Sequence, residues 1–181
     1  ESIEQGNVKT LFSYDTEGRL LTRSMPGGLA QHHVYNNLGQ LLESYLENNG
    51  TRSNELKYTY FTSGVHLSRL QRVQEMSGGT AKLTRSFHYD EAGRIREQVS
   101  TGPFYVGVRN AYSFDLLGRT IEKVRASTNT AVPSFKSVRQ RYSYDGYGQL
   151  LEERIDLGTG DLSSFALSLI HISEPTRRTT I

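Results

Sequence analysis

Polar and apolar residues alternate one by one along short stretches of this chain. Val8, Thr10, Phe12 and Tyr14 fall on one side of such an alternation, with Lys9, Ser13 and Asp15 on the other. Leu83, Phe87 and Tyr89 are set against Thr84, Ser86, His88 and Asp90. Val138, Gln140, Tyr142 and Tyr144 are set against Ser137, Arg139, Arg141 and Ser143. A period of two with aromatic and β-branched residues predicts half-buried strands, because successive side chains leave opposite faces. Each alternation runs into Asp-x-x-Gly, as from Asp15 to Gly18. Asp at the first position of a tight turn accepts backbone N–H groups, and Gly at the fourth takes positive φ without a Cβ clash. A second stretch then departs, Arg19-Leu20-Leu21-Thr22-Arg23 in one case and Arg94-Ile95-Arg96-Glu97-Gln98-Val99 in another. Strand, tight turn and strand together predict a β-hairpin.

The hairpin recurs. Tyr14-Asp15 with Gly18-Arg19-Leu20 is matched by Tyr35-Asn36 with Gly39-Gln40-Leu41 and by Tyr89-Asp90 with Gly93-Arg94-Ile95. Phe114-Asp115 with Gly118-Arg119-Thr120 and Tyr144-Asp145 with Gly148-Gln149-Leu150 follow. A sixth, degenerate copy reads Tyr60-Phe61 with Gly64, and its Arg69-Leu70 is displaced. The second aromatic falls at 14, 35, 60, 89, 114 and 144, so the phrase is constant while the spacing varies from 21 to 30 residues. The spacers Gly27-Gly28, Asn48-Asn49-Gly50, Ser77-Gly78-Gly79, Ser100-Thr101-Gly102-Pro103 and Ala126 to Thr130 predict loops joining one hairpin to the next. A lone hairpin is marginal in water, so the repeats are expected to lay their aromatic faces against one another. The Arg after the turn Gly is placed to stack on a ring or to pair with the turn Asp. Gln40 and Gln149 in that same position point to hydrogen bonding or packing rather than an essential cation.

Composition narrows the reading further. The 181 residues suit one domain, and 35% hydrophobic content is low for one deep core. Aromatics at 10% and four scattered Pro argue against wholesale disorder. The absence of Cys excludes disulfides, thiolate nucleophiles and Cys-ligated zinc. A net charge of +2 makes no case for nucleic acid. The basic cluster Arg139 and Arg141 is expected on the face opposite Tyr142 and Tyr144, whereas single strands are bound by rings beside cations. No apolar run approaches the ~20 residues of a membrane span. The chain starts at Glu1 without a basic-then-apolar leader, and is expected to be an internal piece of a longer protein.

The phrase Tyr14-Asp15 with Gly18-Arg19-Leu20 resembles the YD repeat of RHS proteins. These include bacterial Rhs polymorphic toxins, the cocoon-forming B and C components of Tc toxins, and animal teneurins. The resemblance covers about residues 7–157, and the irregular spacing fits this family better than propeller blades of ~40–50 residues. It implies a fold in which hairpins join into one long β-sheet that spirals around a hollow shell. It implies a structural role, enclosing a C-terminal toxin cargo, and a secreted or cell-surface location. The implied partners are the rest of the same chain, the enclosed cargo and other toxin-complex subunits. The alternative is an adhesion or carbohydrate-binding scaffold of the same repeats, with glycans as partners. The self-cleaving segment of such proteins is rich in Asp, Pro and Gly, and the sequence shows none, so no catalytic role passes to Asp15, Asp90, Asp115 or Asp145.

No enzyme is expected. Catalysis needs a unique constellation, and these carboxylates occupy one slot in every repeat. No copy has the ligand spacing of a calcium loop. His32 and His33 are adjacent, so a strand sends them to opposite faces, and His66 and His88 stand alone. No cofactor or metal is expected. Asn49-Gly50-Thr51 is a glycosylation sequon, expected to be a coincidence in the bacterial setting that the resemblance implies. The stretch from Leu167 to Arg177 breaks the repeat and resembles the translation of a transposase adapter used in sequencing libraries. The expected organisation is therefore an all-β antiparallel sheet of about six hairpins over residues 1–166, an arc of an RHS shell. Residues 167–181 are expected to be a non-native tail.

Overall fold

The structure, a computed structural model, describes residues 2–5, 8–103, 105–128, 137–158 and 165–167. Apart from a 3-10 turn at Pro26–Gly28, every regular element among them is a β-strand. The strands are β1 (Ser2–Gln5), β2 (Val8–Tyr14), β3 (Leu20–Ser24), β4 (Leu29–Tyr35), β5 (Leu41–Asn48), β6 (Thr51–Tyr60) and β7 (Leu70–Ser77). They continue with β8 (Thr80–Tyr89), β9 (Ile95–Gly102), β10 (Tyr105–Phe114), β11 (Thr120–Ser127), β12 (Val138–Tyr144), β13 (Leu150–Asp156) and β14 (Phe165–Leu167). The chain divides between Arg109 and Asn110, inside β10, into two units. In each unit, neighbours in sequence are hydrogen-bonded neighbours in the sheet. The fold is thus an all-β antiparallel meander, the simplest product of consecutive hairpins.

Register explains what alternation alone missed. Tyr14 pairs with Leu20 but Ser13 with Thr22, which leaves Leu21 as an extra residue. The same slip recurs after Tyr35, Tyr60, Tyr89 and Tyr144, where Leu42, Gln71, Arg96 and Leu151 are the extra residues. A bulge at one fixed place in these five departing strands resets which side chains face which side, and it strengthens the local twist. The alternation of the incoming strand is therefore a sound guide, and that of the departing strand is not.

The spacers need correction. Asn48 pairs with Thr51 across Asn49-Gly50, and Ser77 with Thr80 across Gly78-Gly79. All four turn residues have positive φ, at 49° and 78° in one turn and 57° and 76° in the other. These are two-residue hairpin turns, whose twist matches that of the flanking strands. Ser100-Thr101-Gly102 lies within β9, and Ala126-Ser127 within β11. Small polar residues read as loop, but here β8 claims the backbone, with Arg85 opposite Ser100 and Thr84 opposite Thr101.

No deep core forms. Tyr45 and Val108 are the buried hydrophobic residues among those described, and none of the described side chains is fully enclosed. In the first unit the register gathers Tyr58, Val73, Leu83 and Phe87 on one face together with the Glu75–Arg85 ion pair, and Glu43, Lys57, Arg72 and Glu97 on the other. A domain ordinarily buries such an apolar face against a second layer. Here Tyr58, Val73, Leu83 and Phe87 remain half-buried.

Candidate functional site: the repeated hairpin turn

The repeated residues converge at one end of the hairpins. In the first repeat, Gly18 N–H donates to the Asp15 carbonyl at 3.1 Å, and Asp15 N–H to the Arg19 carbonyl at 3.0 Å. The Asp15 carboxylate then takes three further bonds. Glu17 N and Arg19 N donate to Oδ1 at 2.9 Å, and Arg19 Nε to Oδ2 at 2.6 Å. Asp115 repeats this with Leu117 N, Arg119 N and Arg119 Nε at 3.0, 2.8 and 2.7 Å. Asp90 receives Arg94 N and Nε at 2.9 and 2.7 Å. The backbone N–H of Arg19 and that of Arg94 hold the carboxyls of Asp15 and Asp90 below the usual carboxylate range. At Asp115 burial pushes upward, but the Arg119 side chain and backbone outweigh it, and the net direction is also down. Each carboxylate is consumed by its own turn.

Asn36 and Gln40 reproduce the pair without charge. Asn36 Oδ1 accepts Leu38 N and Gln40 N at 2.9 Å, and Asn36 Nδ2 donates to Gln40 Oε1 at 2.7 Å. The last repeat keeps the backbone half, with Tyr147 N and Gln149 N on Asp145 Oδ1 at 2.9 and 2.8 Å. The tolerance for Gln is thus a matter of hydrogen-bond geometry.

The turn also reaches its successor. Arg19 lies over the Tyr35 ring at 5.1 Å, Arg69 over Tyr89 at 5.4 Å and Arg119 over Tyr144 at 4.6 Å. The same guanidinium groups press on the next turn's glycine. A Cβ on Gly39 would meet Arg19 at 3.1 Å, and one on Gly93 would collide with Arg69. The glycine therefore supplies both a positive φ and an open face for the preceding arginine. The next tyrosine answers in the other direction. Tyr35, Tyr60, Tyr89 and Tyr144 donate their hydroxyls to the carbonyls of Leu20, Leu41, Leu70 and Thr120 at 2.7–3.1 Å. Those carbonyls precede the inter-repeat ladders, whose first pairs are Thr22 with His32, Glu43 with Lys57, Arg72 with Ser86 and Glu122 with Arg141. The hydroxyl satisfies a backbone acceptor that the sheet leaves over. Burial pushes the phenols of Tyr60 and Tyr89 upward. Phe114 fills the tyrosine slot without a hydroxyl to give. Tyr14, the first in the series, is 44% exposed, whereas Tyr35, Tyr60, Tyr89 and Tyr144 are half-buried.

The degenerate copy corrects one assignment. Gly64 was expected in the turn-glycine slot, but Ser68 occupies it. Ser68 N–H donates to the Phe61 carbonyl and Phe61 N–H to the Arg69 carbonyl, both at 2.9 Å, as Gly18 and Asp15 do in the first repeat. Ser68 has φ 67° in place of glycine. Gly64 instead closes an inner turn, accepting Leu67 N–H at 3.1 Å. Six residues stand between Phe61 and Ser68, where two suffice elsewhere. Phe61 cannot accept N–H groups, so Arg69 N–H donates to the His66 carbonyl at 3.0 Å. The rings of Phe61 and His66 pack beside Tyr89, at 6.2 and 5.6 Å. The sequence signal for Ser68 was its place immediately before Arg69-Leu70.

The histidines and the basic cluster have neighbours within the sheet. His32 stacks on Tyr45 at 4.8 Å, and burial depresses the pKa of His33. His88 Nδ1 lies 3.3 Å from Glu97. Arg139 and Arg141 both face Glu122, at 3.5 and 3.1 Å. Among the described residues no group of three or more His, Cys, Asp or Glu side chains is placed to hold a metal. In the tail, Leu167 ends β14 and pairs with Glu153, while residues 168–181 lie outside the described residues.

This meander of stapled turns has relatives among solved structures. The chain matches a TcdB2-TccC3-Cdc42 crystal structure with TM-score 0.53 and 19% identity, over 88% of this chain and 10% of that one. It shares its fold with a stretch of a Tc toxin chain. A TcdB2-TccC3 crystal structure gives the same figures. The Photorhabdus luminescens Tc holotoxin pore matches with TM-score 0.53 and 19% identity, over 88% of this chain and 9% of that one. No family model and no curated protein matches. The chain thus spans about a tenth of the Tc toxin chains it resembles. The likeness is one of fold, to a class of toxin that the repeat phrase also resembles.

Proposed function

We propose that this chain is a wall segment of an RHS-type shell that encloses a C-terminal cargo, and that its contribution is structural. The observation that carries this reading is the turn staple. The first repeat satisfies itself through Asp15 and Arg19 and binds its successor through Arg19 on the Tyr35 ring and the Tyr35 hydroxyl on the Leu20 carbonyl, and the other repeats are variations on this pattern. Such a unit extends without limit in one direction, as a wall requires. The nearly coreless sheet supports the same reading, because a wall needs two faces and not an interior. The likeness to Tc toxin chains in fold supports it further. Its partners are then the rest of its own chain and the cargo, and its place is that of a secreted toxin component.

Limited proteolysis of the complete parent protein tests this. An enclosed cargo resists protease until the wall itself unfolds, so wall and cargo fragments should appear together. Digestion of the cargo while the sheet stays intact would overturn the proposal. Glycan binding by the intact sheet in that case would establish the adhesion scaffold instead.

A further inference from the structure

Two imidazoles sit side by side on β4 and meet different surroundings. His32 and His33 leave opposite faces of the strand, and both are half-buried. His32 Nε2 and His33 Nδ1 are buried, and neither has a hydrogen-bond partner. A neutral imidazole can keep its proton on the other nitrogen. An imidazolium carries a proton on both, so charging either ring turns a buried nitrogen into an unpaired donor.

The two faces differ in what could compensate. His32 lies opposite Thr22 on β3 and Tyr45 on β5. Its Nδ1 is 3.5 Å from Thr22 Oγ1, and its ring stacks on Tyr45. β5 also brings Glu43 and Glu47 to that face, and Arg52 lies over Tyr45 at 4.0 Å. Those carboxylates, to either side of Tyr45, favour a charge on His32. His33 lies opposite the buried Ser44. The same face carries Arg23 on β3, Gln31 and Tyr35 on β4, Leu46 on β5 and Leu56 on β6. At the turn end, Arg19 lies over the Tyr35 ring and is already held by Asp15 and Glu17. Among the described residues, β3, β4 and β5 bring no carboxylate to this face. Arg23 there opposes a second positive charge.

We propose that His33 makes the first unit sensitive to mild acid: a proton on its imidazole finds neither an acceptor nor a counter-charge, and it weakens the sheet around β4. The turn carboxylates of Asp15 and Asp90 keep their charge in this range, so their staples are untouched. The unfolded chain takes up the His33 proton first. The stability held in the neutral ring is complete above the ordinary His value of ~6.5. It is lost as pH falls from there through the folded value, which burial and the neighbouring His32 both depress. The inference holds whatever the sheet encloses.

Urea unfolding of the 181-residue chain and of H33Q, from about pH 7.5 to about pH 5, is the test. Gln stays neutral throughout. His66, and His88 with its partner Glu97, are common to both proteins, so the readout is the ratio of their folding constants. The parent should lose ground to H33Q by up to about tenfold per pH unit below ~6.5, the limit for one proton. H32Q should keep the parent's dependence. A ratio of parent to H33Q that stays constant overturns the proposal, and so does a loss that H32Q abolishes and H33Q retains. NMR titration of the folded parent gives an answer that does not depend on how well either variant folds. The His33 ring should take up its proton below ~6.5, and uptake at or above that value overturns the proposal.

Discussion

Two turns of the first unit do the same job with different parts. Around Asp90 the chain turns in four residues, with Gly93 at φ 79° and a carboxylate collecting N–H groups. Around Phe61 it takes eight, with Ser68 at φ 67°, a carbonyl from His66 in place of the carboxylate, and ring contacts in place of the ion pair. Both deliver the same strand pairing, Tyr89 with Ile95 and Tyr60 with Leu70, with the bulge one residue later. What the fold conserves is therefore the register and the supply of backbone partners. The phrase is one solution to that requirement. The comparison also links neighbours. Arg19, Arg69 and Arg119 precede turns with glycine in the slot, and Gln40 precedes Ser68 and donates to its carbonyl.

The largest expected effect comes from the glycine slot. G93A forces a side chain into positive φ and into the space held by Arg69, and should cost at least about 1–2 kcal/mol in urea unfolding. G64A, with nothing within 4 Å of its added Cβ, should cost the φ term alone. Equal losses at the two sites would mean that the arginine contact is without consequence. The Gln40–Ser68 link sharpens the comparison next. Q40R alone should destabilise, S68G alone should stabilise by up to about 1 kcal/mol, and the double variant should recover more than their sum. Strict additivity would sever the link between residue 40 and the following turn.

Y89F removes one hydroxyl from the Leu70 carbonyl, at 2.7 Å, and should cost about 0.5–1.5 kcal/mol. Y14F, at the exposed end of the series, should cost less, and equilibrium unfolding of the pair gives the difference directly.

Acid gives the smallest effect and separates charged turns from the neutral one. The folded pKa of Asp15 and of Asp90 is depressed, so their contribution is complete above the ordinary Asp value of ~3.9 and drains away as pH falls below it. Asn36 has no proton to take up there. Hydrogen exchange followed by residue should show the turns at 15–19 and 90–94 loosening in that range before the turn at 36–40. Simultaneous loosening of all three would locate the acid response elsewhere.

Much of this was legible because the constraints are local. Positive φ at Gly18, Gly39, Gly93, Gly118 and Gly148 follows from the turn, and the turn from Asp or Asn with Gly three residues on. The partners of the turn side chains were legible only in outline. Arg19 was expected to choose between a ring and Asp15, but it takes both, because Nε lies on the carboxylate while the guanidinium plane covers Tyr35. The place of Gly64 was not legible from the letters, because the six-residue insertion between Phe61 and Ser68 carries a glycine of its own and only the distance to Arg69-Leu70 marks the slot. The strands at Ser100-Thr101-Gly102 and Ala126-Ser127 were hidden because Ser and Thr serve a sheet as readily as a loop once a neighbouring strand claims the backbone.

The sequence by itself determined the hairpins, the order in which they follow one another and the end at which the phrase gathers, since these depend on residues a few positions apart. Tertiary structure decided the bulge after the turns that follow Tyr14, Tyr35, Tyr60, Tyr89 and Tyr144, the tyrosine hydroxyls on leftover carbonyls and the use of Ser68 for glycine. Those depend on which backbone groups the adjacent repeat has already satisfied, a quantity that no single hairpin's sequence contains.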